Sequence, residues 1–235
     1  MVHSQRIMEE YCKIHTLFKR DERLRIIEGQ WTFPEIEYLA GNKWLLTEKV
    51  DGTNVRVAFK DGEVSITGRT KDADFREDFR KTLNDKFNND SMLSAVHKAS
   101  KGNEIILFGE GFGPGINGDG KHTQNYDFVL FDVYVPTTRN PDEGTYVDGW
   151  WLHRNNCEDV ASKLGLNIVP LVGEFTLFEA IEMVKAGFKS SWGDFWAEGI
   201  VAKTPVELFT RKGERLLTKI KHKDFLNVSE VKNGV

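Results

Sequence analysis

The octapeptide Thr47-Glu48-Lys49-Val50-Asp51-Gly52-Thr53-Asn54 decides how this chain is read. Lys43-Trp44-Leu45-Leu46 precedes it and Val55-Arg56-Val57-Ala58-Phe59 follows, both apolar and β-prone. The pattern predicts two strands meeting at a tight Asp-Gly turn, with Lys49 at the end of the first. A lysine fixed at such a place is a candidate covalent nucleophile. An unperturbed lysine titrates near ~10.4, so only about one amine in a thousand is neutral at pH 7. Nucleophilic use therefore requires burial or cationic neighbours.

Such neighbours occur in Leu216-Leu217-Thr218-Lys219-Ile220-Lys221. Strand alternation puts Lys219 and Lys221 on one face, a cation pair able to depress a third amine and to hold polyphosphate. Between the two ends lie Phe108-Gly109-Glu110, Phe128-Val129-Leu130-Phe131-Asp132-Val133 and Ala197-Glu198-Gly199-Ile200-Val201-Ala202-Lys203. Each reads as a short apolar strand carrying isolated polar residues.

This ordered set resembles the covalent nucleotidyltransferases, the superfamily of polynucleotide ligases and mRNA-capping guanylyltransferases. There a Lys-x-Asp-Gly motif is followed by four further motifs in the same order. One such run alone would be read as a solvated lysine beside an ordinary hairpin; five in order, from residue 49 to residue 221, are far more specific. Asn54 stands where DNA ligases and capping enzymes carry arginine, as in RNA ligases that seal nicks in duplex RNA. The run Phe108 to Ile116 is similar to the corresponding segment of the phage double-strand RNA ligases and the kinetoplastid editing ligases. Asp51 is a departure, since several members of that branch have histidine there.

The resemblance implies an α+β nucleotidyltransferase fold of the ATP-grasp-like ligase adenylation type, with antiparallel sheets, packing helices and the nucleotide held between two sheets. It implies ATP and magnesium, or manganese in its place, as cofactors, and RNA ends or nicked duplex RNA as partners. Lys49 would attack the α-phosphate to give lysyl-AMP, the AMP would pass to an RNA 5′-phosphate, and a 3′-hydroxyl would displace it. By the same resemblance Glu48 meets the adenine edge, Arg69 the ribose or α-phosphate, Glu110 the ribose hydroxyl and Phe131 the adenine face. Glu198 binds magnesium, Asn54 its hydration shell or an RNA phosphate, and Lys219 and Lys221 neutralise the α-phosphate. Asp132, expected on the opposite strand face from Phe131, and Lys203, expected on the opposite face from Glu198, are weaker candidates. A minimal DNA ligase, a guanylyltransferase and a non-catalytic nucleic-acid-binding module are the competing readings.

Composition is that of an ordinary globular protein: 235 residues, 40% hydrophobic, 29% charged, net charge −4. A negative balance argues against coating nucleic acid by bulk charge, although Arg211, Lys212, Arg215, Lys219, Lys221 and Lys223 form a local basic strip. Cys12 and Cys157 lack metal-type spacing. No apolar run approaches the ~20 residues of a membrane span, and residues 1–6 lack a signal-peptide core, so a cytoplasmic, non-membrane protein is expected.

No repeat or linker divides the sequence, and a single adenylyltransferase domain over 1–235 is expected, without a C-terminal barrel or helical domain. A short helix is expected after Pro34. Asp74, with Glu77 three residues on, predicts a capped helix burying Phe75, Phe79, Leu83 and Phe87. Thr176 with Glu179 predicts another, and a third covers His153 to Leu164. Strands are expected over 43–50, 54–60, 63–69, 104–109, 127–135, 168–175, 196–203 and 214–221. The glycine-rich stretch from Gly109 to Gly120 fits neither the dinucleotide fingerprint nor the P-loop, and reads as a loop passing close to nucleotide or RNA. The tryptophans Trp44, Trp150, Trp151, Trp192 and Trp196 are expected in the core.

Overall fold

The computed structural model describes residues 11–69, 75–116, 124–140 and 145–226. In chain order the elements are β1 (His15–Thr16), β2 (Phe18–Arg20), β3 (Ile26–Trp31), α1 (Pro34–Tyr38), β4 (Trp44–Glu48), β5 (Thr53–Lys60) and β6 (Glu63–Thr67). There follow α2 (Glu77–Phe87), α3 (Asp90–Ser100), β7 (Ile105–Phe112), β8 (Asp127–Asn140), β9 (Thr145–Trp151) and α4 (Arg154–Leu164). The last are β10 (Asn167–Ile168), β11 (Leu171–Phe175), α5 (Leu177–Ala186), β12 (Gly199–Lys203), β13 (Leu217–Lys221) and a 3-10 turn, His222–Asp224.

These form two compact units. The first is built on Asp51–Ile168, and the second on Cys12–Val50 with the chain from Val169 onward. In the first, a six-stranded sheet runs β10-β8-β7-β5-β6, with β9 paired to β8. Its helix-side core contains Val55, Val57, Phe79, Leu83, Phe87, Leu107, Phe128, Leu130 and Val133. Phe79, Leu83 and Phe87 recur at helical spacing on α2, which is why that face is buried. The expected cap Asp74 lies outside the described residues; the helix starts after Arg76.

Helix α3 was not expected. Its signal is Asn89, whose side-chain oxygen accepts from Met92 N at 2.9 Å as an N-cap. Gly109 and Gly111 belong to β7 rather than a loop, and the reason is packing. A Cβ on Gly109 would sit 2.2 Å from the Phe128 ring, and one on Gly111 2.3 Å from Phe79 Cζ.

The second unit carries a five-stranded sheet, β1-β13-β12-β4-β11, and the two-stranded β2-β3 hairpin. One sheet face is buried under α1 and α5 through Trp44, Leu46, Ile181, Val184, Ile200 and Ile220. The α5 terminus has the expected capping box: Thr176 Oγ1 accepts from Glu179 N and the Glu179 carboxylate accepts from Thr176 N. Pairing is mainly antiparallel, but β1 with β13 and β10 with β8 are parallel. Expected strand 168–175 divides into β10 and β11, and strand 196–203 starts only at Gly199. Trp44 is fully buried, whereas Trp150 and Trp196 are exposed, against expectation. Among the described residues no helix is long and apolar enough to cross a membrane.

Candidate active site

Strand register in the second unit gathers the lysines. Across β12 and β13, Val201 is opposite Lys219, Gly199 opposite Lys221 and Lys203 opposite Leu217. Across β12 and β4, Val201 is opposite Thr47 and Ile200 opposite Glu48. Directly opposed residues share a face. Ile200, Ala202, Ile220 and Leu46 therefore point into the helix-side core, and Lys219, Lys221 and Lys203 lie on the other face. The expectation for Lys203 is corrected by this register: Glu198 precedes β12, so counting along a regular strand does not apply to it.

Glu198 joins the nucleophile candidate to the lysine pair. Its Oε2 accepts from Lys49 Nζ at 2.5 Å, and its Oε1 lies 2.6 Å from Lys221 Nζ. Lys49 Nζ also donates to Val50 O at 3.2 Å. Main-chain bonds fix the frame, from Lys49 N to Gly199 O and from His222 N to Glu198 O, each 2.9 Å. Gly199 has φ +149, and a Cβ there would meet Ile220 O at 2.0 Å. Only glycine lets the Glu198 segment join β12 this close to β13.

Burial pushes the Glu198 carboxyl up, but the ammonium groups of Lys49 and Lys221 outweigh it together and hold the group below its ordinary value. Burial, then the charges of Lys221 and Lys49, push Lys219 below the ordinary lysine value. This is a half-buried cationic face organised by one carboxylate.

Glu48, expected at the adenine edge, is held from within the protein. It is 2% exposed, its Oε1 accepts from the Ser190 hydroxyl, and its Oε2 accepts from Ser191 N at 2.9 Å. Both oxygens are thus committed to the turn that leads through Trp196 and Ala197 to Glu198, closed by Ser190 N to Phe195 O and Ala197 N to Phe188 O. The sequence signal for this is Ser190-Ser191, two hydroxyl residues ahead of the motif glutamate.

In the first unit, Asn54 is opposite Glu110, and Arg56 opposite Phe108, across β5 and β7. These alternate with the core residues Val55, Val57 and Leu107, and so face away from the helices. Between β7 and β8 the pairing steps from Phe108↔Asp132 to Gly109↔Leu130. Phe131 is therefore the extra residue of a bulge. The bulge turns Asp132 away from the helix-side core, and both residues meet Tyr11. The Tyr11 hydroxyl donates to Asp132 Oδ2 at 2.7 Å, and its ring lies edge-on to Phe131 at 4.9 Å. The expectation of opposite faces fails because the strand is not regular there. Phe131 is only half-buried amid fully buried neighbours, and Arg69, just beyond β6, is exposed.

The metal candidates fall one in each unit, Glu198 in the second and Asn54 in the first. Among the described residues no cluster of three or more His, Cys, Asp or Glu could hold an ion alone. Glu198 by itself suits magnesium, which keeps several waters and needs only one or two carboxylates beside substrate phosphates. Glu198 is an ionised carboxylate, and Asn54 Oδ1 is buried with no hydrogen-bond partner.

A family model described as RNA ligase matches residues 42–221, which include every motif just placed. The chain belongs to the RNA ligase family. Solved structures of an RNA ligase from Naegleria gruberi share the fold. The form with pyrophosphate is 19% identical over 99% of this chain and 64% of that one, with a TM-score of 0.61. A variant with ATP and Mn is 19% identical over 94% and 62%, TM-score 0.59, and another with AMP and Mn 19% identical over 93% and 60%, TM-score 0.56. The chain spans about three fifths of the length of these ligases.

Proposed function

We propose that this RNA ligase family member is an ATP-dependent RNA ligase that works through a lysyl-AMP and an adenylylated RNA end. The observation that carries the reading is the bridge Lys49–Glu198–Lys221, with Lys219 on the same sheet face. Lys49 Nζ forms a bond to the α-phosphorus of ATP as the bond to pyrophosphate breaks. AMP passes to the 5′-phosphate of an RNA strand, and a 3′-hydroxyl then attacks that phosphate, releasing AMP.

Glu198 holds Lys49 as a hydrogen-bond donor in the present arrangement. Its grip must loosen before that nitrogen can attack. A divalent cation at Glu198 would offset the repulsion between an attacking group and a charged phosphate. Lys219 and Lys221 present positive charge where negative charge builds on the phosphate. In the first unit, Phe131, Glu110 and Arg69 are assigned to adenine, ribose and ribose or phosphate, and Asn54 to metal water or RNA phosphate. These assignments rest on motif order, supported by the half-buried ring of Phe131, the exposure of Arg69 and the unpartnered Asn54 oxygen.

Asn54 and the Phe108 to Ile116 segment support the branch that seals nicks in duplex RNA or RNA–DNA hybrids, and a cytoplasmic setting goes with that reading. The test is incubation with magnesium and ATP labelled at the α-phosphate. A base-stable, acid-labile protein adduct is expected, absent in Lys49→Ala; label retained by that variant overturns the assignment.

A further inference from the structure

The basic strip read from the sequence is not one surface. Arg215 is buried, with its guanidinium on Glu207 through Nε at 2.9 Å and Nη2 at 2.5 Å, and Lys203 lies 3.8 Å from the same carboxylate. Lys219 and Lys221 belong to the catalytic face. Lys223 is exposed in the 3-10 turn after β13, which leaves Arg211 and Lys212, exposed at the tip of the hairpin that connects β12 to β13. Beside them Phe209 is 52% exposed, although it bridges to Arg215 in the main chain.

The tip is held in shape independently of these three side chains. Thr210 N donates to Glu214 O at 2.8 Å, and Gly213 N to Thr210 O at 2.9 Å. Thr210 Oγ1 accepts from Lys212 N and Glu214 N, both at 3.2 Å, and Leu216 N donates to Leu208 O at 2.8 Å. An ordered turn thus presents a large aromatic ring to water beside two cations, with Glu214 as the tip's acid, on a chain whose net charge is −4. The half of that side chain left in water forgoes part of the roughly 1.5–3 kcal/mol that full burial brings, and a flat partner laid on the ring would recover it.

We propose that this hairpin grips an unpaired RNA segment that extends beyond the nicked duplex, with Phe209 stacking on a base and Arg211 and Lys212 taking backbone phosphates. An aromatic face with adjacent cations is the chemistry of a sequence-tolerant single-strand platform. The proposal names a substrate contact for the ligase reading and rests on it, but its readout is separate.

The test compares wild type, Phe209→Leu and the double variant Arg211→Gln/Lys212→Gln for binding of a short fluorescent oligouridine RNA, by anisotropy at a series of salt concentrations. Phe209→Leu keeps apolar bulk and removes the π-face; about five-fold weaker binding is expected, with an unchanged salt slope. The double variant should flatten the slope of log K against log salt by about 1.4, since each single-strand phosphate contact contributes roughly 0.7. Melting temperatures and labelled-AMP adduct formation should match wild type in both. Equal RNA affinity and equal salt slope across the three proteins overturn the proposal, whereas a wild type that binds RNA but forms no adduct overturns the ligase reading alone.

Discussion

Glu198 Oε2 lies 2.5 Å from Lys49 Nζ, so the carboxylate expected to serve the metal restrains the nucleophile in the arrangement described here. Its other oxygen is on Lys221. Removing the carboxylate frees the nucleophile but also takes away the group that would hold the metal at the phosphate, and the second effect is expected to dominate. Glu198→Gln leaves Lys49, Lys219 and Lys221 without their counter-ion, and adenylylation should fall by on the order of 10²-fold, measured as the rate of adduct formation at saturating magnesium. A variant as fast as wild type would exclude Glu198 from the step.

The same group predicts an acid limb in stability. The folded value of Glu198 is held below its ordinary 4.5, so its contribution is present above 4.5 and lost as pH falls through the folded value. The melting temperature of wild type should exceed that of Glu198→Gln at neutral pH, and the gap should close progressively below pH 4.5. A gap independent of pH would mean that the carboxylate charge is not what stabilises the segment.

Lys219 carries the reverse sign. Its folded value is depressed first by burial and then by Lys221 and Lys49, so the charged form costs stability, and the cost is relieved as pH rises toward 10.5. Lys219→Met should raise the melting temperature at pH 7, with a gain that fades on approaching pH 10.5, while slowing adduct formation. Stability exchanged for activity is common where like charges are gathered for function.

How much of this was legible in the sequence depends on regularity. Lys219 and Lys221 were placed on one face by alternation alone, and β13 is a regular strand in which alternation holds. Phe131 and Asp132 were misplaced because one inserted residue, invisible to a period-two count, reverses the faces beyond it. Glu198 was assigned to a strand it only precedes, and Lys203 inherited the error. The burial of Glu48 was not legible, because motif order carries no information on burial and its partners Ser190 and Ser191 lie about 140 positions away in sequence. Helix α2 was legible from its aromatic spacing; α3 was missed because Val96 is its only fully buried residue, so its apolar stripe is faint.

Glu48 supports a prediction about positioning. Its carboxylate ties the Ser190 turn to β4, and that turn leads to Glu198 within eight residues. Ser190→Ala removes two hydrogen bonds, the one donated to Glu48 and the one accepted from Trp192 N at 3.1 Å, and should cost about 1–3 kcal/mol of stability. If the turn sets the reach of Glu198, the variant should also need more magnesium for half-maximal adenylylation, with Lys49 still labelled at saturation. A melting shift without a change in the magnesium dependence would reduce Glu48 to scaffolding.

The proposed nick substrate is tested through the sugars beside the break. Asn54 faces away from the helix-side core of its unit, opposite Glu110, with a buried side-chain oxygen that lacks a protein partner. A buried carbonyl left unpaired costs ~1–3 kcal/mol, which a water of a bound cation or an RNA hydroxyl would recover. RNA is therefore expected on the 3′-hydroxyl side of the break, where a 2′-hydroxyl can be read directly and favours A-form geometry. Four nicked duplexes differing only in the ribose or deoxyribose on each side, sealed with ATP and magnesium at two salt concentrations, should rank with an RNA 3′ side fastest. Sealing of the all-DNA nick at an equal or greater rate would overturn the RNA preference and point to DNA as the substrate.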